Sequence, residues 1–299
     1  MTDLVQIIVS TATVGSALAL VALGYSLVFS ATGIVNFAQG PLLVVGGYGA
    51  YALTRAGLPI GVALVVAVLG TAAAGVAVEV VALRPLRRFD AATDVGWVLT
   101  TFAAGLVAVD LVRIGVDASP HALPPLVGSV FGRQVWQVAG VAVTPTDVVI
   151  VAATLALVVA VDVTLRATPF GRALRAVAQD REAATLVGVD ARVVVTGAFA
   201  LAGALAAVAA VLLAPKVFVR LENGLVLGLQ AFVAAVLGGL GSARGALAGG
   251  YVVAAVSAVA RTVSPSGSRY EFVAVFALFL VTLAFRPTGL LGGRVMEKV

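Results

Sequence analysis

The sequence predicts an all-α, polytopic integral membrane protein with about nine transmembrane helices, each about 20 residues long. Of its 299 residues, 61% are hydrophobic and 11% are charged, whereas a soluble domain carries about 25% charged residues. The apolar runs are continuous, as helices in lipid require, and they lack the alternation typical of a transmembrane barrel. No polar stretch is long enough for a soluble domain, so residues 1–299 are predicted to form a single transmembrane domain.

Polar residues, glycines and prolines divide the apolar sequence into the predicted spans. The first span is expected to be retained, because residues 1–6 lack the basic segment of a signal peptide. The last three runs are short for complete spans, so about eight or about ten spans are alternatives if they tilt, break or re-enter. The fourth and fifth spans are separated by pieces with strand character at 127–131 and 134–138. The predicted spans are residues 5–29, 34–53, 58–83, 95–116, 148–165, 193–214, 225–240, 246–260 and 272–285.

Arginine and lysine collect on one predicted side of the membrane, which orients the chain. Residues 84–94, 166–192, 241–245 and the tail after Phe285 hold three, five, one and three of the 19 basic residues, twelve in all. This side is predicted to be cytoplasmic, with the N-terminus outside and the C-terminus inside the cell membrane. The same bias accounts for the net charge of +5 without a nucleic-acid partner.

The longest polar interruption, residues 166–192, contains five arginines and three acids. Its helix-start and helix-end signals predict two short capped helices and a capped start of the next span. The signals are Thr168 before Pro169, Asp180 with Glu182 in the first turn, Gly188 at a left-handed position, and Asp190. A loop this charged cannot lie in lipid, and a loop this well capped is expected to be ordered. It is therefore predicted to be a docking surface for a soluble partner.

Two other groups of residues stand out within the predicted spans. Asn36 and Gln39 lie three residues apart, which predicts that they share one helix face, and Gly40 with the proline after it predicts a break early in that helix. These side chains are candidates for the translocation pathway, or they hold helices together by hydrogen bonds. Glycines near the eighth span predict close helix packing and a tight turn, with a gating hinge as the alternative; they are Gly238, Gly239, Gly241, Gly245 and Gly249.

Few residues in the spans are suited to catalysis or metal binding. The acids Glu79, Asp110 and Asp162 lie toward span ends, and the two aspartates each precede an arginine by three or four residues, which predicts interfacial ion pairs. The single histidine, His121, lies in a predicted outer loop, and the chain has no cysteine. These features exclude thiol chemistry and favour neither a metal site nor a cofactor.

Three blocks of sequence carry a family resemblance. Glu182-Ala183-Ala184, followed after three residues by Gly188, matches the EAA-x3-G pattern of ABC importer permeases. Residues 33–40 have the sequence GIVNFAQG, and residues 231–242 have the sequence AFVAAVLGGLGS. In order and spacing, the blocks resemble those of the branched-chain amino acid importer permeases, of the shorter of the two permease types, and the resemblance covers nearly the whole chain. Gln39 departs from the family, because many members have histidine there.

The resemblance implies a transport subunit for branched-chain or related small amino acids, not an enzyme. It implies a second related permease, two ATPase subunits and an extracytoplasmic solute-binding protein as partners. The sequence also lacks a phosphate-binding loop, because neither of its two lysines, Lys216 and Lys298, lies in a GxxxxGK[ST] motif. ATP hydrolysis is therefore expected on separate subunits. The resemblance assigns ATPase coupling to Asp180, Arg181, Glu182, Ala183, Ala184 and Gly188.

Three other functions are considered. Permeases for urea or short amides fit the same sequence pattern. An ion-coupled secondary transporter would require acids near the membrane midplane, whereas the acids of this chain lie near span ends. A membrane-embedded enzyme would require a convergent polar cluster within the bilayer, which one histidine and no cysteine make a poor prospect.

Overall fold

The computed structural model describes residues 2–85, 96–116, 118–124, 135–138, 141–263, 267–286 and 289–291. The described chain is mostly helical, with one two-stranded antiparallel hairpin. The first helices are α1 (Thr2–Thr32), α2 (Gln39–Arg55), α3 (Ile60–Val78), which continues as a π-helical turn (Glu79–Leu83), and α4 (Gly96–Gly115). The hairpin comprises β1 (Trp136–Val138) and β2 (Val141–Val143). The remaining helices are α5 (Pro145–Ala167), α6 (Pro169–Gln179), α7 (Arg181–Leu186), α8 (Ala191–Leu213), α9 (Asn223–Gly238), α10 (Ala243–Val263) and α11 (Gly267–Phe285).

Within the described residues, 6 helices are long and apolar enough to cross a membrane: α1, α3 with its π-helical turn, α4, α5, α8 and α10. Two shorter apolar helices, α9 and the part of α11 from Tyr270 to Phe285, accompany them. The prediction of a polytopic helical membrane protein is therefore confirmed. The six long helices do not by themselves reach the predicted count of about nine spans.

Helices α1 and α8 form the centre of the bundle, and α4, α5 and α11 lie at its periphery. Small residues let the central helices approach closely, as is common between membrane helices. A side chain at Gly75 of α3 would collide with the carbonyl of Phe199, and one at Gly203 of α8 would collide with the carbonyl of Thr71. The α3–α8 crossing therefore brings backbone against backbone.

The gap predicted between the first two spans, residues 30–33, is wrong for most of its length, because α1 continues through Thr32. The hydroxyls of Ser30 and Thr32 donate to carbonyls one turn earlier, at 2.9 and 2.7 Å, so both polar side chains are satisfied within the helix. The turn comes only at Gly33, whose φ is +74°.

The expected break inside the second span is also wrong. Gly40 and Pro41 occupy the first turn of α2, where a missing backbone N–H costs no helical hydrogen bond. Asn36 lies before that helix, so it does not share a helix face with Gln39.

Polar groups near the helix ends are mostly paired. The predicted pairs Asp110–Arg113 and Asp162–Arg166 are confirmed, at 3.4 and 3.0 Å. Glu79 differs from a typical interfacial acid, because its side chain is fully buried in the π-helical turn and lies 3.0 Å from Arg84.

The hairpin confirms part of the predicted strand 134–138, with Trp136 paired to Val143. The predicted strand 127–131 lies outside the described residues. His121 forms a backbone bridge with Val219 and stacks on the ring of Tyr51 at 3.7 Å between centroids. This end of the molecule is thus closed by connections between loops that are distant in sequence.

Candidate functional site

We call residues 168–190 the capped loop, because a side chain caps the start of α6, of α7 and of the helix that follows, α8. Thr168 Oγ1 accepts a hydrogen bond from the Gly171 N–H at 3.3 Å and starts α6. Asp180 Oδ1 accepts from the N–H groups of Glu182 and Ala183 at 2.9 and 3.0 Å and starts α7. The predicted helix starts are therefore confirmed, and each of these capping hydrogen bonds joins residues two or three positions apart.

The end of the capped loop also follows the sequence signals. Gly188 has φ +84°, the left-handed conformation that ends a helix and that glycine adopts without strain. Asp190 Oδ1 then accepts from the Arg192 N–H at 2.8 Å and starts α8. The signals at Gly188 and Asp190 therefore lie where the sequence predicts them.

The inner face of the capped loop is fixed to the bundle. Leu174, Val177 and Ala184 are buried, although charged side chains surround them. Gly171 lies against the Leu165 carbonyl of α5, and the ring of Phe170 covers Gly197 of α8. Displacing α6 would therefore pull on the ends of α5 and α8.

The outer face of the loop ends in an apolar tip. Leu186 and Val187 are 88% and 77% exposed, although both are large hydrophobic residues. Asp180, which caps this short helix, and Glu182 in its first turn are exposed as well. A surface with this much charge cannot lie in lipid, so its apolar tip is suited to a soluble protein partner.

The second candidate site is the polar turn, residues 33–41, where Asn36 and Gln39 are both fully buried. Asn36 Oδ1 accepts from the Ala38 N–H at 3.1 Å, and Gln39 Nε2 donates to the Ala202 carbonyl of α8 at 3.0 Å. Asn36 Nδ2 and Gln39 Oε1 have no hydrogen-bond partner among the residues that the structure describes. Each buried unpaired polar atom costs about 1–3 kcal/mol.

Glycines make room for the polar turn between three helices. Gly24 of α1 leaves space for the Gln39 amide, and a side chain there would overlap it. Gly40 lies against the Gly224 carbonyl and the Gly228 Cα of α9. The start of α2 is therefore in direct backbone contact with α9.

An aromatic row connects the polar turn to the periphery, and sequence analysis did not identify it. The Phe37 ring lies between Trp97 of α4, at 6.3 Å between centroids, and Phe232 of α9, at 5.7 Å. Phe232 also contacts Tyr25 of α1 at 5.9 Å and Phe279 of α11 at 6.0 Å. Phe37 and Phe232 belong to two of the resemblance blocks, which is the sequence signal that could have suggested their contact.

The glycines around the α9–α10 turn fall into two groups. Side chains at Gly238, Gly245 and Gly249 would collide with backbone carbonyls of the facing helix. Gly239 and Gly241 have φ of +98° and +88°, which favours glycine.

The chain after α11 returns to this turn and completes its hydrogen bonding. The N–H groups of Leu290 and Leu291 donate to the carbonyls of Leu237 and Gly238 at 2.7 and 3.0 Å. Those carbonyls lie in the last turn of α9, where carbonyl groups have no N–H donor within their own helix.

Within the described ranges, no group of three or more His, Cys, Asp or Glu side chains is placed to hold a metal ion. A helical bundle with several potential spans, a buried polar turn and a capped loop with an exposed apolar tip is typical of polytopic membrane permeases.

Comparison with known proteins identifies the family. The model of the family described as "Branched-chain amino acid transport system / permease component" matches residues 7–283. The chain belongs to this family of permease subunits.

Its relatives span nearly the same length. It is 33% identical to the high-affinity branched-chain amino acid transport system permease protein BraD of Pseudomonas aeruginosa, over 98% of this chain and 97% of that protein. It is 33% identical to the corresponding protein LivH of Escherichia coli K12, over 96% and 95%. It is 29% identical to the probable permease LivH of Methanocaldococcus jannaschii, over 92% and 88%.

A solved structure, PsaBC from Streptococcus pneumoniae in complex with Fab, shares the fold. It aligns with a TM-score of 0.52 over 96% of this chain and 93% of that chain. The sequence identity is 11%, so this likeness concerns the fold alone.

Proposed function

We propose that this chain is a permease subunit of an ATP-binding cassette importer that moves branched-chain amino acids into the cell. In this proposal it pairs with a second related permease, and two ATPase subunits and an extracytoplasmic solute-binding protein complete the importer. The whole chain, residues 1–299, acts as one transmembrane domain in the cell membrane. The names of the relatives support the substrate class, since BraD and LivH are branched-chain amino acid permeases.

The observation that carries the proposal is the capped loop with its apolar tip. Its residues Asp180, Arg181, Glu182, Ala183, Ala184 and Gly188 form the coupling segment. The ATPase contacts the exposed Leu186 and Val187. When the two ATPases close on ATP, they displace α6 and α7, and the buried contacts of α6 transmit the motion to α5 and α8. A loop that is rigid and fixed at both ends suits this role, because a flexible loop would absorb the motion.

The proposed topology has nine spans, which are the helices other than α6 and α7. The N-terminus then lies outside and the C-terminus inside. The helix ends that this topology places in the cytoplasm include Ser30, Asp162 and Arg244, and all three line one cavity. The ends that it places outside include the bridged His121 and Val219. Both groupings support the arrangement.

The proposed pathway passes the polar turn at Asn36, Gln39 and Gly40. In this proposal the aromatic row accommodates the aliphatic side chain, while the amino and carboxylate groups of the solute meet Gln39 Oε1 and Asn36 Nδ2. The unpaired state of those two atoms supports the assignment, because a passing solute would relieve their desolvation cost. The path opens to either side as the two permeases change conformation.

Replacing one exposed side chain of α7 tests the coupling role. Leu186→Ser and Glu182→Lys should weaken ATPase retention by about tenfold or more, because loss of a central contact typically costs about 2 kcal/mol. The measurement is co-purification of the ATPase with the permease and ATP-driven leucine uptake in proteoliposomes. Ile114→Ser, at an equally exposed position in α4, is the matched control and should behave as wild type. Normal ATPase retention in both α7 variants would overturn the coupling assignment.

The same proteoliposomes test the energy source and the substrate. Uptake should persist with an uncoupler and stop without ATP. Leucine, isoleucine and valine should compete for uptake, and urea should not. Uptake driven by an ion gradient in the absence of ATPase subunits would instead establish a secondary transporter.

A further inference from the structure

A basic cavity of about 400 Å³ lies beside the capped loop, between the ends of α1 and α5, helix α6 and the α9–α10 turn. Its charged lining consists of Asp162, Arg166, Arg175 and Arg244, with Ser30 and Ser242 as neutral polar neighbours. The cavity shares no lining residue with the apolar tip or the polar turn.

The charges in the cavity do not balance. Arg166 Nε lies 3.0 Å from Asp162 Oδ1, and Arg244 Nε lies 3.7 Å from Asp162 Oδ2, so one carboxylate serves two guanidinium groups. Arg175 donates to the Leu165 carbonyl, which is neutral. The described lining therefore carries three positive charges against one negative charge. The first turn of α10 adds the positive end of a helix dipole.

An exposed apolar stripe on α5 leads to this cavity. Asp162, Val159 and Leu155 lie on one face of the helix, because their spacings of three and seven residues return to nearly the same direction. Val159 is 60% exposed and Leu155 is 42% exposed. On a helix that spans the membrane, such a face lies against acyl chains, and the cavity then lies at the depth of the lipid headgroups.

We propose that this cavity binds the phosphate of an anionic glycerophospholipid, with an acyl chain along Leu155 and Val159. Arg166 and Arg244 turn from their shared carboxylate to the phosphate, which both can approach through two N–H donors. Basic pockets between membrane helices bind lipid headgroups in this way. The continuous apolar stripe favours a lipid over an acidic protein segment. The proposal requires that α5 spans the membrane, and it does not depend on the coupling role of the loop.

The test measures lipid binding to the purified full-length chain by native mass spectrometry. The probes are phosphatidylglycerol and phosphatidylcholine with identical acyl chains. The wild-type protein should prefer phosphatidylglycerol. Arg166→Gln combined with Arg244→Gln should reduce that preference by about fivefold for each arginine removed, since each contributes about 1 kcal/mol near a membrane surface. Arg113→Gln, which removes an exposed arginine paired to Asp110 on α4, should leave it unchanged.

Asp162→Asn supplies a result that misfolding cannot imitate. Removing the carboxylate releases both arginines, so phosphatidylglycerol should bind more tightly than to the wild-type protein. A wild-type chain that binds the two lipids equally, or an Asp162→Asn variant with unchanged or weaker binding, would overturn the proposal. Equal competition by inorganic phosphate would also overturn it in favour of a soluble anion. Loss of ATPase retention in the double variant, with lipid binding intact, would assign the cavity to an acidic protein partner instead.

Discussion

The capped loop is held by hydrogen bonds between neighbouring residues, whereas the polar turn depends on contacts with residues that are distant in sequence. In the capped loop, each helix start is fixed by a side chain within about three residues of the backbone group that it binds. In the polar turn, Gln39 finds its partner on α8 and Gly40 finds its contacts on α9, far away in sequence. The caps of the loop are therefore local, whereas the turn is completed by contacts with α8 and α9. The first property suits the lever proposed for the loop, and the second suits the pathway proposed for the turn.

The largest expected effect is at the polar turn. Gly40→Leu would force a side chain into the Gly224 carbonyl and the Gly228 Cα, and overpacking of this kind costs up to about 3 kcal/mol. We expect a clear drop in the thermal unfolding temperature of the detergent-solubilised protein and loss of uptake. Gly70→Leu in α3 is the control, because nothing lies within 4 Å of a side chain there. Similar stability of the two variants would contradict the close contact between α2 and α9.

The next largest effect is expected at Gly188, and a control glycine with the same backbone conformation elsewhere shows whether its position in the loop matters. Gly188→Val should cost about 1–2 kcal/mol, because valine is strained in the left-handed region. The strain lies at the end of α7, so we expect ATP hydrolysis to lose its coupling to leucine uptake while membrane insertion remains normal. Gly57→Val is a matched control, since Gly57 also has positive φ and open surroundings but lies between α2 and α3. Equal uptake by both variants would contradict a coupling role for this end of α7.

A smaller effect is expected from removing a cap. Asp180→Ala deletes the acceptor for two backbone N–H groups and should destabilise α7 by about 1 kcal/mol. Hydrogen exchange of the amides of residues 181–186 should become about fivefold faster, with global stability unchanged. Asp180→Asn should restore slow exchange, because asparagine also caps helices. Slow exchange in the alanine variant would mean that tertiary contacts hold the loop.

The smallest expected effect on stability is at Asn36. Asn36→Ala loses the hydrogen bond from the Ala38 N–H but also removes the unpaired Nδ2, so the two contributions of about 1 kcal/mol nearly cancel. If Asn36 meets the solute, the KM for leucine should rise while the unfolding temperature stays within about 2 °C of the wild type. An unchanged KM would reduce Asn36 to a residue that fixes the turn.

This contrast also explains what the sequence alone could predict. The caps at Thr168, Asp180 and Asp190 were predictable because capping is a local interaction. The continuation of α1 through Ser30 and Thr32 was missed, since their hydroxyls bond to their own helix, which composition does not reveal.

Non-local features were out of reach. The π-helical turn that buries Glu79 depends on the packing around it, and the aromatic row joins rings from five separate segments of the chain. The resemblance blocks indicated which stretches were special, and the structure shows that two of them meet through Phe37 and Phe232.

The return of residues 289–291 to the end of α9 has a consequence for biosynthesis. The carbonyls of Leu237 and Gly238 receive these hydrogen bonds from a segment that the ribosome makes about 50 residues later. The α9–α10 turn is therefore synthesised before the residues that complete its hydrogen bonding, and translation has to pass the end of α11 before they can pair. A product that stops within α11 would leave these two carbonyls without the N–H groups of Leu290 and Leu291.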